Sequence, residues 1–216
     1  MQKVLDPDPE IITTDGSISI FSLPGKARKF GFVPNWSKFL PGDLILFRSK
    51  SSNIFDQFVA SAQTKAGVAQ IHSQWTHAAI SLYGDLIVEA VPRHGVRTRS
   101  LYDDIPGRII RVRRAPNLTV TQRYEVALLG LQNLGQRYSA LSALALGWRM
   151  RRGFWNWAAA PYLGPRIICS KLYSDTLFEV GGSRLAGCPV TDTITPAHLS
   201  FTSDLVDVDV GWLKVV

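Results

Sequence analysis

WTHAAISLYGDLIVEAVP, residues 75–92, decides the fold class of this chain of 216 residues. Two apolar runs flank the dipeptide Gly84-Asp85, which is a turn signal, so the stretch predicts an antiparallel β-hairpin. The stretch 40–47 (LPGDLILF), a turn followed by an apolar run, predicts a buried strand, and residues 107–113 (GRIIRVR) predict another. The chain is therefore expected to contain a small antiparallel sheet or half-barrel.

Several stretches outside these strands have helical periodicity. Residues 53–66 carry apolar side chains at a spacing of four and are followed by Gly67, a stop signal. Thr119 or Thr121 caps a long predicted helix, whose apolar positions are Val126, Leu129, Leu134 and Leu141. A third helix begins at CSKLYSDTLFEVGG (169–182) and is expected to end at Gly181, and Thr195 caps a short fourth one.

These elements predict the α+β class in a single domain spanning 1–216. Residues 1–39 are punctuated by Pro and Gly and predict an irregular lead-in with one short strand at 17–21. In the C-terminal tail Val206, Val208 and Val210 alternate with aspartates, which predicts short strands.

Composition excludes several classes of protein. With 46% hydrophobic residues and only two cysteines, the chain is neither disordered nor a disulfide scaffold. Its longest stretch without charged residues, 66–84, contains two histidines and two glutamines and is too polar to span a membrane. No apolar segment follows the first lysine, so no secretory signal is predicted. The expected location is the cytoplasm, or the periplasm or envelope after export by a specialised secretion system.

The net charge of +7 is concentrated in two segments, 93–114 and 137–166, each carrying a net +5. Such segments favour an anionic partner, namely phospholipid, nucleic acid or an acidic cell-wall polymer. A solvated basic face is the alternative explanation.

Cys169 falls in the first turn of a predicted helix. Unpaired backbone amides and the helix dipole favour a thiolate there and can also donate to an oxyanion. The position is typical of a nucleophile, although a structural cysteine also fits it. A disulfide between Cys169 and Cys188 is an alternative that would abolish the thiolate.

A thiolate nucleophile needs a base, and the base needs an orienting group. His77 begins the first strand of the hairpin, and Glu89 lies on the second. With the odd-numbered loop 83–85, Ala79 faces Glu89, and His77 is a diagonal neighbour of Glu89 on the same face of the sheet. A two-residue loop places Glu89 on the opposite face. The sequence leaves both registers open.

Six strings occur in one order along the chain: LPGDLILF (40–47), WTHAAI (75–80), IVEA (87–90), LGQRYSAL (134–141), ICSKLYSDTL (168–177) and ITPAHLS (194–200). Together they resemble the circularly permuted branch of the NlpC-type papain-like hydrolases, the YiiX/YebB-like proteins. In that branch the histidine strand precedes the nucleophile helix. The resemblance covers about residues 40–205.

The resemblance implies a papain-like fold with Cys169 as nucleophile, His77 as general base and Glu89 as the group that orients the base. Further candidates for oxyanion or substrate binding are Ser170, Tyr138 and Trp75. The chemistry requires no metal and no organic cofactor. A zinc site built from His72, His77 and a cysteine lacks a recognisable ligand spacing.

The basic, Trp-rich block 147–166 is an insertion relative to this family pattern. Its aromatic side chains either pack in the core or contact a membrane surface together with its arginines. The residues expected to make that contact are Arg149, Arg151, Arg152, Trp155 and Trp157.

Three functions follow as expectations. The first is cleavage of an amide bond, most readily in peptidoglycan peptides, by an antibacterial toxin that would have an immunity protein as partner. The second is a lipid acyl hydrolase or acyltransferase acting on phospholipid, as in the lecithin retinol acyltransferase-like relatives of the superfamily. The third is a non-catalytic module that binds an anionic surface, with nucleic acid the least favoured partner.

Overall fold

The computed structural model describes residues 2–19, 23–50, 54–138, 167–189 and 194–216. Within these ranges the chain is mixed α+β, as predicted, with six α-helices and two sheets. The strands are β1 (Thr14–Ile18), β2 (Phe32–Pro34), β3 (Leu44–Ser49), β4 (His77–Tyr83), β5 (Leu86–Val91), β6 (Gly95–Ser100), β7 (Arg108–Arg114), β8 (Val206–Asp207) and β9 (Trp212–Val215). The helices are α1 (Gly25–Phe30), α2 (Ile54–Lys65), α3 (Gln70–Ser73), α4 (Val120–Gln132), α5 (Cys169–Gly181) and α6 (Pro196–Phe201).

The larger sheet has six strands in the order β6-β5-β4-β3-β7-β8, and every neighbouring pair is antiparallel. The predicted strands at 40–47 and 107–113 are β3 and β7, and the predicted hairpin is β4–β5. Helices α4 and α5 cover one face of this sheet. The core between them contains buried apolar side chains from both layers, among them Leu46, Ile80, Val88, Val126 and Leu172.

The smaller sheet, in the order β1-β9-β2, corrects the prediction of an irregular lead-in over residues 1–39. This segment contains two strands and helix α1, and both strands pair with β9 at the far end of the chain. β1 begins and ends three residues earlier than the predicted strand at 17–21, whose last two residues lie outside the described part. These strands are stabilised by pairing with a distant segment, and the Pro- and Gly-rich sequence has no local apolar periodicity that would predict them.

The smaller sheet packs against the face of the larger sheet that the helices leave uncovered. Trp212 of β9 shares a buried cluster with Ile45 and Phe47 of β3. The tail also differs from its prediction, because only Val206 of the three alternating valines lies in a strand and β9 follows without a clear signal. The described residues therefore form three layers: a small sheet, the six-stranded sheet and a layer of helices.

Helix α4 is shorter than predicted. Thr119 caps it through a reciprocal capping box with Gln122, and the helix ends at Gln132, before Leu134. Gly135 follows with a φ of 80°, a left-handed conformation that stops a helix. Leu141 lies outside the described residues. The helix thus stops at its C-cap, Asn133, two residues before this glycine, and the apolar periodicity of the sequence continues past its end.

The other predicted helices are present with small changes at their ends. Helix α2 lies within the predicted 53–66. Helix α5 starts at Cys169 and ends at Gly181, as predicted, with the left-handed Gly182 as its C-cap. Helix α6 begins after Thr195, which forms a capping box with His198. The predicted start of α5 is the feature that matters most for the site.

Candidate active site

The β4–β5 register decides where Glu89 points. The turn is the two-residue Gly84-Asp85, because Tyr83 pairs with Leu86, yet Ala79 pairs with Glu89. Both pairings hold because β4 carries one extra residue, Leu82, between Ser81 and Tyr83. This β-bulge restores the register of an odd-numbered loop. Of the two alternatives that the sequence leaves open, the turn is the two-residue one, but Glu89 lies where the odd-numbered loop would have placed it.

Glu89 consequently lies beside His77 on the same side of the hairpin. The distance from His77 Nε2 to Glu89 Oε2 is 2.8 Å. Glu89 is 1% exposed and His77 is 9% exposed, so this hydrogen bond is shielded from water. A shielded bond of this kind fixes both the orientation of the imidazole and the nitrogen that faces away from the carboxylate.

Cys169 lies on the other side of the same imidazole. It is the first residue of α5, which packs against β4, so the start of the helix comes to the strand that begins with His77. The Cys169 side chain is close enough to His77 to raise the pKa of the imidazole, through its charge and through hydrogen bonding. Because Nε2 faces Glu89, Nδ1 is the nitrogen left for the thiol. The structure thus brings the three residues predicted as nucleophile, base and orienting group into one chain of contacts.

The charges of the group support one another. Burial alone lowers the pKa of His77, but the negative charge and hydrogen bond of Cys169, together with Glu89, outweigh it and raise the pKa of His77 to about 9. Burial likewise raises the pKa of Glu89, but His77 and Arg99 outweigh it and hold that pKa well below its usual range. A protonated imidazole is therefore favoured at His77 at neutral pH.

Two of the three further candidates for oxyanion or substrate binding, Trp75 and Ser170, are buried in the core of the protein. Trp75 is fully buried, and its indole Nε1 donates to Gln2 Oε1 at 3.2 Å. Ser170 is also fully buried, and its hydroxyl donates to the carbonyl of Ile194 at 2.7 Å. Both side chains therefore have hydrogen-bond partners inside the protein, and the backbone N–H of Ser170 is a candidate donor to an oxyanion.

Tyr138 is placed differently, because it lies close to the sulfur. Its backbone forms a parallel bridge with Ile167, two residues before Cys169. Burial, and after it the charge of Cys169, raises the pKa of Tyr138 well above its usual value. A phenol in this position keeps its proton at neutral pH and can donate a hydrogen bond to an anion beside Cys169.

The segment that carries Tyr138 crosses β6 at Gly95. Val96 N donates to Gln136 O at 2.9 Å, and a Cβ on Gly95 would lie 2.2 Å from that same carbonyl oxygen. Gly95 also has a φ of 72°, which residues with a side chain rarely adopt. A residue without a side chain is therefore required where this segment approaches the site.

We expect Gly95→Ala to lower the free energy of unfolding by about 3 kcal/mol, because a strained backbone and a clash with main chain add together. Gly135→Ala is the matched control, since its φ is 80° but nothing lies within 4 Å of its Cβ position. The control should lose only about 1 kcal/mol. Urea unfolding followed by tryptophan fluorescence measures both values, and equal losses would contradict the close approach at Gly95.

Sequence reasoning missed Arg97 and Arg99, which both contact Glu89 from β6. Arg99 Nε lies 2.6 Å from Glu89 Oε1, and Arg97 Nη2 lies 3.0 Å from the same oxygen. One sequence signal could have identified them. On an antiparallel neighbour of β5, side chains two residues apart share the face of Glu89, and arginine is the side chain suited to a buried carboxylate.

The arginines of segment 93–114 are largely paired inside the protein. Six of the seven have a carboxylate partner in the described residues: Arg97 and Arg99 with Glu89, Arg99 and Arg108 with Asp104, Arg111 and Arg113 with Asp207, and Arg114 with Asp43. This segment therefore provides no argument for an anionic partner. The block 147–166, with its five predicted membrane-contact residues, lies outside the described residues.

The alternative uses of the cysteines and histidines are not seen. Cys169 and Cys188 are both free, so there is no disulfide between them. Within the described ranges, no group of three or more His, Cys, Asp or Glu side chains could hold a metal ion. His72 Nδ1 lies 2.9 Å from the hydroxyl of Ser200. His72 therefore has a structural hydrogen-bond partner.

The chain matches no family model, and a search of curated proteins gave no match. In the described part of the chain, no helix has both the length and the apolar character needed to cross a membrane.

Proposed function

We propose that this chain is a cysteine hydrolase of papain-like fold, with Cys169 as nucleophile, His77 as general acid and base, and Glu89 as the orienting carboxylate. The observation that carries the proposal is the position of the His77 ring, which interacts with the Cys169 side chain and is hydrogen-bonded to Glu89. The start of α5 also supplies backbone N–H groups that have no acceptor within the helix.

The reaction begins from a thiolate and an imidazolium. The sulfur of Cys169 attacks the carbonyl carbon of the substrate, and the carbonyl electrons move to oxygen. The backbone N–H of Cys169 donates to this oxyanion, and the Tyr138 hydroxyl, which keeps its proton, is the second donor. Collapse of the intermediate breaks the bond to the leaving group, which takes the proton of His77.

The second half of the reaction regenerates the enzyme. Neutral His77 accepts a proton from water, and the resulting hydroxide attacks the thioester carbonyl. The carbon–sulfur bond then breaks, the acid product leaves, and the thiolate and imidazolium form again. Glu89 holds the imidazole in one orientation throughout, so both proton transfers use the same ring nitrogen.

An amide is the bond class that this site favours. The nitrogen of an amide is a poor leaving group unless it is protonated, whereas an ester oxygen departs with less help. A histidine whose pKa is raised to about 9 holds that proton ready across the neutral range. The family resemblance adds peptides of the bacterial wall as substrate, with lipid esters as the competing class.

The experiment that tests the function uses the full chain with two substrates in parallel. Purified peptidoglycan is assayed for new amino termini, and phospholipid vesicles are assayed for released fatty acid. New amino termini support the amidase proposal. Release of fatty acid alone would mean that the same three residues hydrolyse lipid esters. A thiol-reactive acyl probe should label Cys169 and spare Cys188. No product, with no labelling of Cys169, would leave a binding module as the better explanation.

The pH profile gives a further prediction. With an amide substrate, kcat/KM should fall on the alkaline side with a midpoint at about pH 9, because His77 loses there the proton that the leaving group needs. An activated ester of the same acyl group is the control, since its leaving group departs unprotonated and its rate should not fall there. An alkaline midpoint between pH 6 and 7 for the amide would contradict the ion pair.

A further inference from the structure

Glu89 has more partners than an orienting carboxylate needs. Its Oε2 accepts from His77 at 2.8 Å and from Arg99 Nη2 at 3.0 Å, while Oε1 lies 2.6 Å from Arg99 Nε. Arg99 therefore holds both oxygens at once. This two-point contact fixes the plane of the carboxylate, which a single hydrogen bond from the imidazole does not do.

Arg99 is in turn fixed by a second carboxylate. Its Nη2 lies 2.6 Å from Asp104 Oδ2, and Asp104 Oδ1 lies 3.2 Å from Arg108 Nε. The side chains of Arg99 and Asp104 are 12% and 7% exposed. An ion pair this far from water is poorly screened, so the position of Asp104 is transmitted to the guanidinium of Arg99.

Phe47 forms a common floor for these groups. Its ring is fully buried and lies 5.5 Å from the ring of His77, centroid to centroid. The guanidinium carbons of Arg99 and Arg108 lie 5.8 Å and 5.6 Å from the same ring centroid. The imidazole and the Arg99 guanidinium thus rest on one rigid surface, which limits their relative movement.

Arg97 provides an internal comparison. It contacts only Oε1 of Glu89, through Nε at 3.1 Å and Nη2 at 3.0 Å. Its side chain is 41% exposed, against 12% for Arg99. Water therefore screens the charge of Arg97 and can replace its hydrogen bonds.

We propose that Arg99, anchored by Asp104, is a positioning residue that aligns Glu89 and through it the imidazole of His77. The inference rests on the proposed function, because it assigns a role within the same site. The proposed series of contacts then contains five residues, with Arg99 and Asp104 added to the triad of Cys169, His77 and Glu89. Neither Arg99 nor Asp104 touches the substrate; both act through Glu89.

The role has two separable parts, charge and geometry. The positive charge of Arg99 keeps Glu89 ionised, because it is among the causes that hold the pKa of Glu89 below its usual range. Its two-point contact keeps the carboxylate plane aligned with His77 Nε2. Loss of the charge moves the protonation of Glu89 to higher pH, whereas loss of the geometry lowers the rate at every pH.

The test compares Arg99→Gln, Arg99→Lys and Asp104→Asn, with Cys188→Ala in every protein so that Cys169 is the only thiol. Arg93→Gln is the matched control, since it removes one positive charge from an exposed residue. Two quantities are measured: kcat and KM on the substrate that is hydrolysed, and the pH profile of Cys169 alkylation by iodoacetamide. The alkylation rate depends on the thiolate and imidazolium pair and needs no hydrolysis. It therefore tests the role of Arg99 even if the proposed function is wrong.

Arg99→Gln should lower kcat by about 10- to 100-fold with little change in KM, because misalignment affects the chemical step. The acid limb of its alkylation profile should move to higher pH. Arg99→Lys should return the acid limb towards its original position while kcat stays reduced. Asp104→Asn should produce the same changes as Arg99→Gln at smaller size, and Arg93→Gln should produce neither.

The proposal is overturned if Arg99→Gln leaves the acid limb unmoved and kcat within about twofold of the parent. It is also overturned if Arg99→Gln and Arg93→Gln behave alike. Where Arg99→Gln fails to fold by circular dichroism, the milder Asp104→Asn decides: an unmoved acid limb in that folded variant rejects the role. A moved acid limb in a protein without hydrolase activity keeps the positioning role and rejects the proposed function.

Discussion

Replacing Cys169 with alanine should abolish hydrolysis, with kcat falling by about 10⁴- to 10⁶-fold, the loss found when a triad nucleophile is removed. The sulfur is the atom that bonds to the acyl carbon, and no other described side chain in contact with His77 can take its place. Progress curves at high enzyme concentration, on whichever substrate is hydrolysed, measure the loss.

The matched control is Cys188→Ala, which removes the other free thiol. Burial raises the pKa of Cys188 to about 12, so its thiol stays protonated at neutral pH, and this variant should retain full activity. A second readout separates chemistry from folding. In Cys169→Ala the pKa of His77, followed by NMR, should fall below about 9, because the negative charge of Cys169 is one of the groups that raise it. Full hydrolysis by folded Cys169→Ala would reject the nucleophile.

Glu89→Gln should impair both activity and stability. The amide has nearly the same shape but carries no charge, so the buried Arg99 loses one of the two carboxylates that pair with it. Removing one partner of a buried ion pair costs about 3 kcal/mol of unfolding free energy. The rate should fall as well, by about 10²- to 10⁴-fold, because a neutral amide cannot stabilise the imidazolium and favours the wrong tautomer.

Urea unfolding at several pH values tests the cause of this loss. Because the pKa of Glu89 is depressed in the folded protein, its contribution is fully present above the usual value of 4.5 and is lost as the pH falls below it. The difference between the parent and Glu89→Gln should therefore shrink on acidification below pH 4.5. Glu125→Gln, a change at an exposed carboxylate, should be nearly neutral at every pH. A pH-independent loss at Glu89 would indicate altered packing instead.

The positions of Cys169 and His77 within their elements were open to sequence reasoning for a physical reason. Both residues sit at the start of a regular element, where a helix or a strand begins at a residue that local pattern identifies. Helix α5 begins at Cys169 as predicted from its apolar face, and β4 begins at His77 as predicted from the hairpin. The contact between the two starts was expected because a thiolate nucleophile needs a base, and the family resemblance implied the same pair.

The surroundings of Glu89 could not be predicted from local sequence patterns. The bulge at Leu82 has no signature in a run of apolar residues, and without it Glu89 faces the wrong side of the hairpin. The arginines of 93–114 looked like a basic surface because charge counting treats every side chain as solvated. Asp207, which pairs with Arg111 and Arg113, is about a hundred positions away in the chain.

The sequence by itself determined the elements: where the hairpin strands and helix α5 begin, the α+β class, and which residue types could support nucleophilic chemistry. These follow from apolar periodicity and turn residues, which act over a few positions of the chain. Only the tertiary structure decided the strand register, the pairing of β9 with the N-terminal segment, and the burial of the Glu89 and Arg99 pair. Those features depend on contacts between distant residues, and their energies depend on exclusion of water, which no local pattern records.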